Sequence, residues 1–180
     1  MKTALLIIDV QHALCTGDEA AYDIERVLER INTVSAKARA AGAPVILIQH
    51  EEAAGPLQFE SEGWQLARGL ASSPADVRVR KTTPDSFHRT ELQRVLQERG
   101  IARLVVCGLQ SDFCVDTTVR RALALGYPVV LVGDAHSTVD NGVLTAAQIS
   151  AHHNVTLGRM ASFGPRVSVV PAAEVEIGAT

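Results

Sequence analysis

The sequence predicts an α/β protein with three layers, α/β/α, around a mainly parallel sheet. Three observations predict it. Short apolar runs such as Leu5-Leu6-Ile7-Ile8 alternate with stretches of helical periodicity, and that alternation implies βαβ units with right-handed crossovers. The apolar runs are continuous, as in strands covered on both faces. A length of 180 residues (19.2 kDa) suits one domain spanning residues 1–180.

Thr3–Val10 reads as the first buried strand. A long helix follows over Tyr22–Ala41, where Ile24, Val27, Leu28, Ile31 and Val34 share a face. Gly42 stops it and Pro44 follows. Val45–Ile48 is the second strand. From Gln49 to Ala75 the pattern breaks at Gly55-Pro56, Gly63 and Ser72-Ser73-Pro74. A loop this long in a compact domain is usually functional; only a short helix is expected in it, near Trp64–Leu70. Val77–Lys81 alternates apolar and basic residues, as a strand near a sheet edge does. Thr90-Glu91-Leu92-Gln93 has a capping-box pattern, with Leu92, Val95 and Leu96 inward and Gly100 at the end. Leu104–Cys107 is the fourth strand and Gly108–Phe113 a tight turn. Ser111 then caps a helix carrying Val115, Val119, Ala122 and Leu123 inward until Gly126. Val129–Val132 is the fifth strand. Asp140 or Asn141 caps a helix to about Val155, and Val167–Val170 is the last strand. The result is a Rossmann-like sheet of six strands.

Composition narrows the function classes. Hydrophobic residues make up 47% and charged residues 21%, which is ordinary globular composition. Seventeen basic against 20 acidic residues leave a formal charge of −3, so neither nucleic acid nor an anionic membrane is expected as partner. No apolar run spans a bilayer, and Asp9 interrupts the N-terminal run too early for a signal peptide. Three cysteines, Cys15, Cys107 and Cys114, make no disulfide framework; a reducing, cytoplasmic setting is expected. There is no G-x-S-x-G elbow, no G-x-G-x-x-G and no P-loop.

Ligands of open parallel sheets sit at the carboxyl ends of the strands. Asp9 and Gln11 end the first strand, Gln49, His50 and Glu51 the second, and Lys81 the third. Gly108 to Cys114 follow the fourth strand, and Asp134 and His136 the fifth. An acid, a lysine and a thiol thus come from three strand ends. Burial raises the proton affinity of a carboxyl such as Asp9 and fits it for acid–base work. Arg78 and Arg80 have the opposite strand parity from Lys81 and face elsewhere. Cys114 falls in the first turn of a helix, where the N–H groups and the helix dipole favour an anion; there, with Lys81 near, a lowered thiol pKa is expected. Cys107, inside a strand, reads as a packing residue. His152 and His153, adjacent on a helix, point about 100° apart and do not share a ligand.

These motifs resemble the isochorismatase-like cysteine hydrolases, a superfamily of nicotinamidases, N-carbamoylsarcosine amidases, isochorismatases and streptothricin hydrolases. The matching segments run in order along the chain: Leu5 to Gln11, Ala41-Gly42-Ala43-Pro44-Val45, Lys81 to Phe87, Val106 to Val115, and Ala122 to Ala135. The resemblance implies a triad of Asp9, Lys81 and Cys114. It implies that the thiol attacks an amide carbonyl, that Asp9 moves the proton and that a thioester is then hydrolysed. It also implies a cis peptide at Leu109-Gln110 and an oxyanion site at the N–H groups of Gln110 and Cys114. Homodimers or homotetramers are implied too.

Two departures from the family pattern matter. Metal-binding nicotinamidases carry Asp-x-His after the second strand, where this chain has Gln49-His50-Glu51-Glu52. No metal and no organic cofactor are therefore expected. Asp134-Ala135-His136 has the letters after a different strand, and reads as a capping aspartate and a loop histidine. Isochorismatases cleave a vinyl ether without needing a sulfur nucleophile, so Cys114 favours C–N hydrolysis. The Gln49–Trp64 region is most similar to the streptothricin-hydrolase-like branch. A small, cyclic or open amide is the expected substrate, with Gln11, His50, Trp64, Phe87 and Phe113 as its pocket wall. The alternatives are vinyl-ether hydrolysis with Asp9 as the acid, a nicotinamidase-like amidase, and a non-catalytic binding domain.

Overall fold

Thr3–Ile8 forms β1, and all six of its residues are buried, as its unbroken apolar run requires. β2 (Val45–His50) and β4 (Arg103–Leu109) flank it, followed outward by β3 (Val77–Lys81) on one side and by β5 (Val129–Ser137) and β6 (Val167–Val170) on the other. Every pairing is parallel, in the order β3-β2-β1-β4-β5-β6. The structure, a computed structural model, describes residues 1–178.

The side chains of β1 alternate between two cores. Ala4, Leu6 and Ile8 pack with Leu92, Leu96, Val119 and Leu123, on the side of α3 (Leu92–Glu98) and α4 (Asp116–Ala124). Leu5 and Ile7 pack with Val27, Ile31, Val34 and Ala38 of α2 (Ile24–Ala40). Helices therefore cover both faces. The order of connection reverses at this pair: β1 leads on to β2 at one edge while β4 lies at its other edge. The connections that leave their carboxyl ends therefore diverge and open a crevice. Among the described residues no helix is long and apolar enough to cross a membrane.

Several local expectations are corrected. The long helix begins at Ile24, after Asp23 in a left-handed conformation. No helix forms near Trp64–Leu70. That stretch is a set of turns tied to the core, with the Trp64 carbonyl accepting from the Gln11 and Gln49 amides and Leu66 bridging Gln11. One turn of helix, α1 (His12–Cys15), fills what reads as a polar loop. The box at Thr90 does not close: its hydroxyl donates to the Ser86 carbonyl and accepts from the Leu92 N–H. The last helix, α5 (Ala146–Gly158), is capped by Thr145 in a reciprocal box with Gln148. Asp140 accepts from the Ala146 N–H and Asn141 from the Val143 and Leu144 N–H groups, closing the loop before it. β5 runs on to Ser137 through a register shift against β4, between Val106 and Gly108.

Candidate active site

Three strand ends converge on the crevice. Asp9 follows β1 with φ at +49°, a left-handed conformation that aspartate tolerates better than most residues. Lys81 ends β3 opposite His50 of β2. Its side chain reaches into the interior, while Arg80, of opposite parity, lies outside against Glu51 and the Phe59 ring. Cys114 lies in one π turn, Ser111–Val115, between β4 and α4. The Leu109-Gln110 peptide bond before it is cis. The Gln110 carbonyl accepts from the Phe113 and Val115 N–H groups.

Lys81 holds these groups together. Its Nζ donates to Asp9 Oδ2 at 2.7 Å, to Cys114 Sγ at 3.2 Å and to His50 Nδ1 at 3.2 Å. An ammonium has three hydrogens and no lone pair, so all three are used and His50 Nδ1 accepts. Burial and the Lys81 charge hold the His50 pKa below its ordinary 6.5, and the ring is neutral, as that hydrogen bond requires.

Cys114 departs from the expectation of a lowered pKa. Burial, and next the Asp9 charge, push its thiol up from 9.0 to about 12, with Lys81 opposing. The resting thiol is therefore protonated. The helix-terminus argument fails because burial disfavours the thiolate more strongly than the first turn stabilises it. Asp9 Oδ1 is buried with no hydrogen-bond partner. A carboxylate oxygen of Asp9, a His50 ring nitrogen and Cys114 Sγ lie within 4.8 Å of one another. These are metal-ligand types, but Lys81 Nζ hydrogen-bonds all three, so an ion coordinated by them would have to displace the ammonium.

A cavity of about 280 Å³ opens beside Cys114. Its polar wall is Asp9, His50, Glu52 and Gln110, and its apolar wall is Leu14, Leu57, Pro84 and Phe113. Of the five expected wall residues, His50 and Phe113 are there. Gln11 is buried instead as a brace, exchanging hydrogen bonds with the His50 backbone. Trp64 packs edge-on against Phe59 and lines a different depression, with Arg78 and Arg89. Phe87 stacks on Tyr127 in the core. Leu14, Leu57, Glu52 and Pro84 complete the wall. Glu52 and Leu57 lie in the loop segment that resembles the streptothricin-hydrolase-like branch, with Glu52 one of its acids suited to a cationic substrate, and Pro84 lies three residues after Lys81; Leu14 carries no sequence signal.

Other expected groups lie apart. Asp134 accepts from the Ala172 N–H and pairs with Arg30. His136 is a buried residue of β5, not a loop histidine. His153 Nδ1 lies 2.8 Å from the Ile149 carbonyl of its own helix, and His152 Nε2 lies 3.2 Å from Thr156. Cys15 and Cys107 are buried, away from any base, and burial raises both thiols.

Residues 3–168 match the isochorismatase domain. The chain belongs to the isochorismatase family. It is 39% identical over 176 residues to a streptothricin hydrolase of Streptomyces noursei, a match that covers 93% of this chain and 64% of the relative. The chain thus spans somewhat less than two thirds of that relative's length. It is 32% identical to the ureidoacrylate amidohydrolase RutB of Pseudomonas syringae pv. syringae, over 74% of this chain and 70% of the relative. A crystal structure of an isochorismatase family protein superposes with a TM-score of 0.86 at 38% identity, covering 93% of this chain and 97% of the other. In that frame the cysteine, lysine and aspartate stand at the carboxyl ends of an isochorismatase-family sheet.

Proposed function

We propose that the protein is a cysteine-dependent amidohydrolase that cleaves a non-peptide C–N bond in a small amide. The observation that carries the reading is the Asp9–Lys81–Cys114 cluster, whose aspartate and cysteine line a cavity with one polar and one apolar wall. Asp9, ion-paired to Lys81, is a base in the resting site and takes the thiol proton as Sγ attacks the carbonyl carbon. The Phe113 and Val115 N–H groups already bond the Gln110 carbonyl, which leaves the Cys114 N–H, with that of Gln110, to donate to the developing oxyanion. Lys81 offsets the charge passing between sulfur and carboxylate. When the tetrahedral adduct collapses, the C–N bond breaks and Asp9 returns the proton to the leaving amine. Water, deprotonated by Asp9, then attacks the thioester, and the thiol and the free acid are restored.

The cavity also supports a substrate class. Glu51 is paired with Arg80, and Glu62 with Arg68 and His12. Glu52, in the cavity wall, has no such partner among the described residues. A small amide with a cationic or amino group fits that wall, and a streptothricin, named in a relative's activity, is the first candidate to try. A panel of cyclic amides, ureido amides, nicotinamide and vinyl ethers tests the reading. Cys114→Ala should abolish amide turnover, by at least about 10³-fold. Vinyl-ether cleavage that survives this change would replace the reading. Glu52→Gln should raise KM for cationic amides and leave neutral ones within about twofold.

A further inference from the structure

A buried hydrogen-bond chain that the proposed chemistry does not use runs to the turn carrying Cys114. Its direction is fixed by donor inventory. The Gly133 carbonyl only accepts, so the Asn154 amide nitrogen, 2.8 Å away, faces it. Asn154 Oδ1 must then accept from His136 Nε2 at 2.9 Å. His136 therefore carries its proton on Nε2, and Nδ1 is left as an acceptor. Ser111, 2.8 Å from that Nδ1, donates to it. With its proton committed, Ser111 Oγ accepts from Ser150 at 2.9 Å. One residue further on, Asp112 Oδ1 accepts from Thr138 at 2.6 Å. His136 and Ser111 are almost wholly buried, and burial keeps the His136 ring neutral.

These bonds grip the first two residues of the π turn that ends just after Cys114. The partners come from β5, from Thr138 just after it and from α5, none of which supplies a group within the Asp9–Lys81–Cys114 cluster. Ser111 does not act as a side-chain cap; the turn has none at its start. We propose that His136, acting through Ser111, is the positioning residue of the nucleophile turn, setting where Sγ stands against Asp9 and Lys81. The proposal rests on Cys114 as the nucleophile. An error of about 1 Å in such placement costs on the order of 100-fold in rate.

The test compares His136→Leu, which removes the acceptor, with His136→Asn, whose amide oxygen restores one near Nδ1, and with Ser111→Ala. Iodoacetamide labelling of Cys114 and Cys107 is followed by peptide mass spectrometry at one mildly alkaline pH. Cys107, fully buried in β4, reports global opening. A thiol released towards ordinary behaviour gains about tenfold in thiolate per pKa unit. Cys114 labelling should therefore rise by roughly tenfold or more in His136→Leu and Ser111→Ala, with Cys107 unchanged, and stay near wild type in His136→Asn. On an amide that the wild type hydrolyses, the first two variants should lose roughly 100-fold in kcat with little change in KM. The proposal is overturned if Cys114 labelling is unchanged, if Cys114 and Cys107 rise together, or if the Asn and Leu variants behave alike. Turnover retained by Cys114→Ala would instead sink the nucleophile assignment and leave the labelling comparison standing.

Discussion

At the scale of single residues, the site is a problem of one proton and one positive charge. Lys81 is bonded to a carboxylate, a thiol and an imidazole, and only the carboxylate is ionised in the resting arrangement. Removing the carboxylate charge should therefore have opposite effects on two readouts. In Asp9→Asn the ammonium has only the thiol left to neutralise it, and the negative charge that raised the thiol is gone. Cys114 labelling at pH 8 should become faster than in wild type, while amide turnover falls by about 10²–10⁴-fold for want of a base. Slower labelling in Asp9→Asn would contradict this assignment of charges. Lys81→Ala removes the one neighbour that lowers the thiol, so labelling should slow. It also strands a buried carboxylate, a loss of about 3–5 kcal/mol, visible as a lower Tm.

At the scale of elements, the crevice depends on how closely β1 and β4 approach. Gly108 of β4 has φ of +116°, and a Cβ there would sit 2.1 Å from the Ile8 carbonyl oxygen and 2.6 Å from the Ile8 nitrogen. Both atoms are backbone in a central strand and cannot move aside. Gly108→Ala should cost more than about 4 kcal/mol, the range of severe single changes, and is checked by urea unfolding or by recovery of soluble protein. A helix cap that touches none of the cluster's groups sets the contrast. Thr145→Ala opens one capping box at the exposed start of α5. It should cost about 1 kcal/mol and leave turnover unchanged.

At the scale of the whole molecule, buried titratable groups bound the pH range of the fold. Cys15 and Cys114 are pushed up from 9.0 to about 12, and Cys107 is raised as well. A raised folded-state pKa stabilises in full below the unfolded value and is lost as pH climbs through the folded one. The alkaline loss should therefore begin near 9 and continue to about 12. His50 and His136 are lowered from 6.5, so their contribution is present above 6.5 and is lost as pH falls below it. Tm against pH should form a plateau between about 6.5 and 9, and His136→Asn should flatten the acid side. A Tm still rising at pH 10 would refute the alkaline arm. Val143, Val155 and Phe163 are exposed, and light scattering would test the homodimer or homotetramer that the family resemblance implies.

Much of this was legible in the linear chain, for a physical reason. A strand buried on both faces must be an unbroken apolar run, so the first polar residue after it marks the strand's end. Asp9 announces itself in this way, and in the alternating strand Val77–Lys81 parity separates Lys81 from Arg78 and Arg80 without coordinates. Other features depend on contacts distant in sequence. Phe87 and Phe113 are the same residue type beside similar motifs. Only the packing of Tyr127 against one and the open crevice beside the other make Phe87 core and Phe113 wall. His136 looked like a loop residue because β5 passes the end of its apolar run through a shift in register with β4. The charge state of Cys114 could not be read locally either. Position in a first turn argues for a thiolate, but enclosure by Asp9 and the surrounding walls holds the proton on sulfur. Local polarity and spacing are enough to set most of the strands and helices and the chemical groups at their ends. Tertiary structure alone decided which groups share a proton, because burial and charge proximity are properties of the assembled fold.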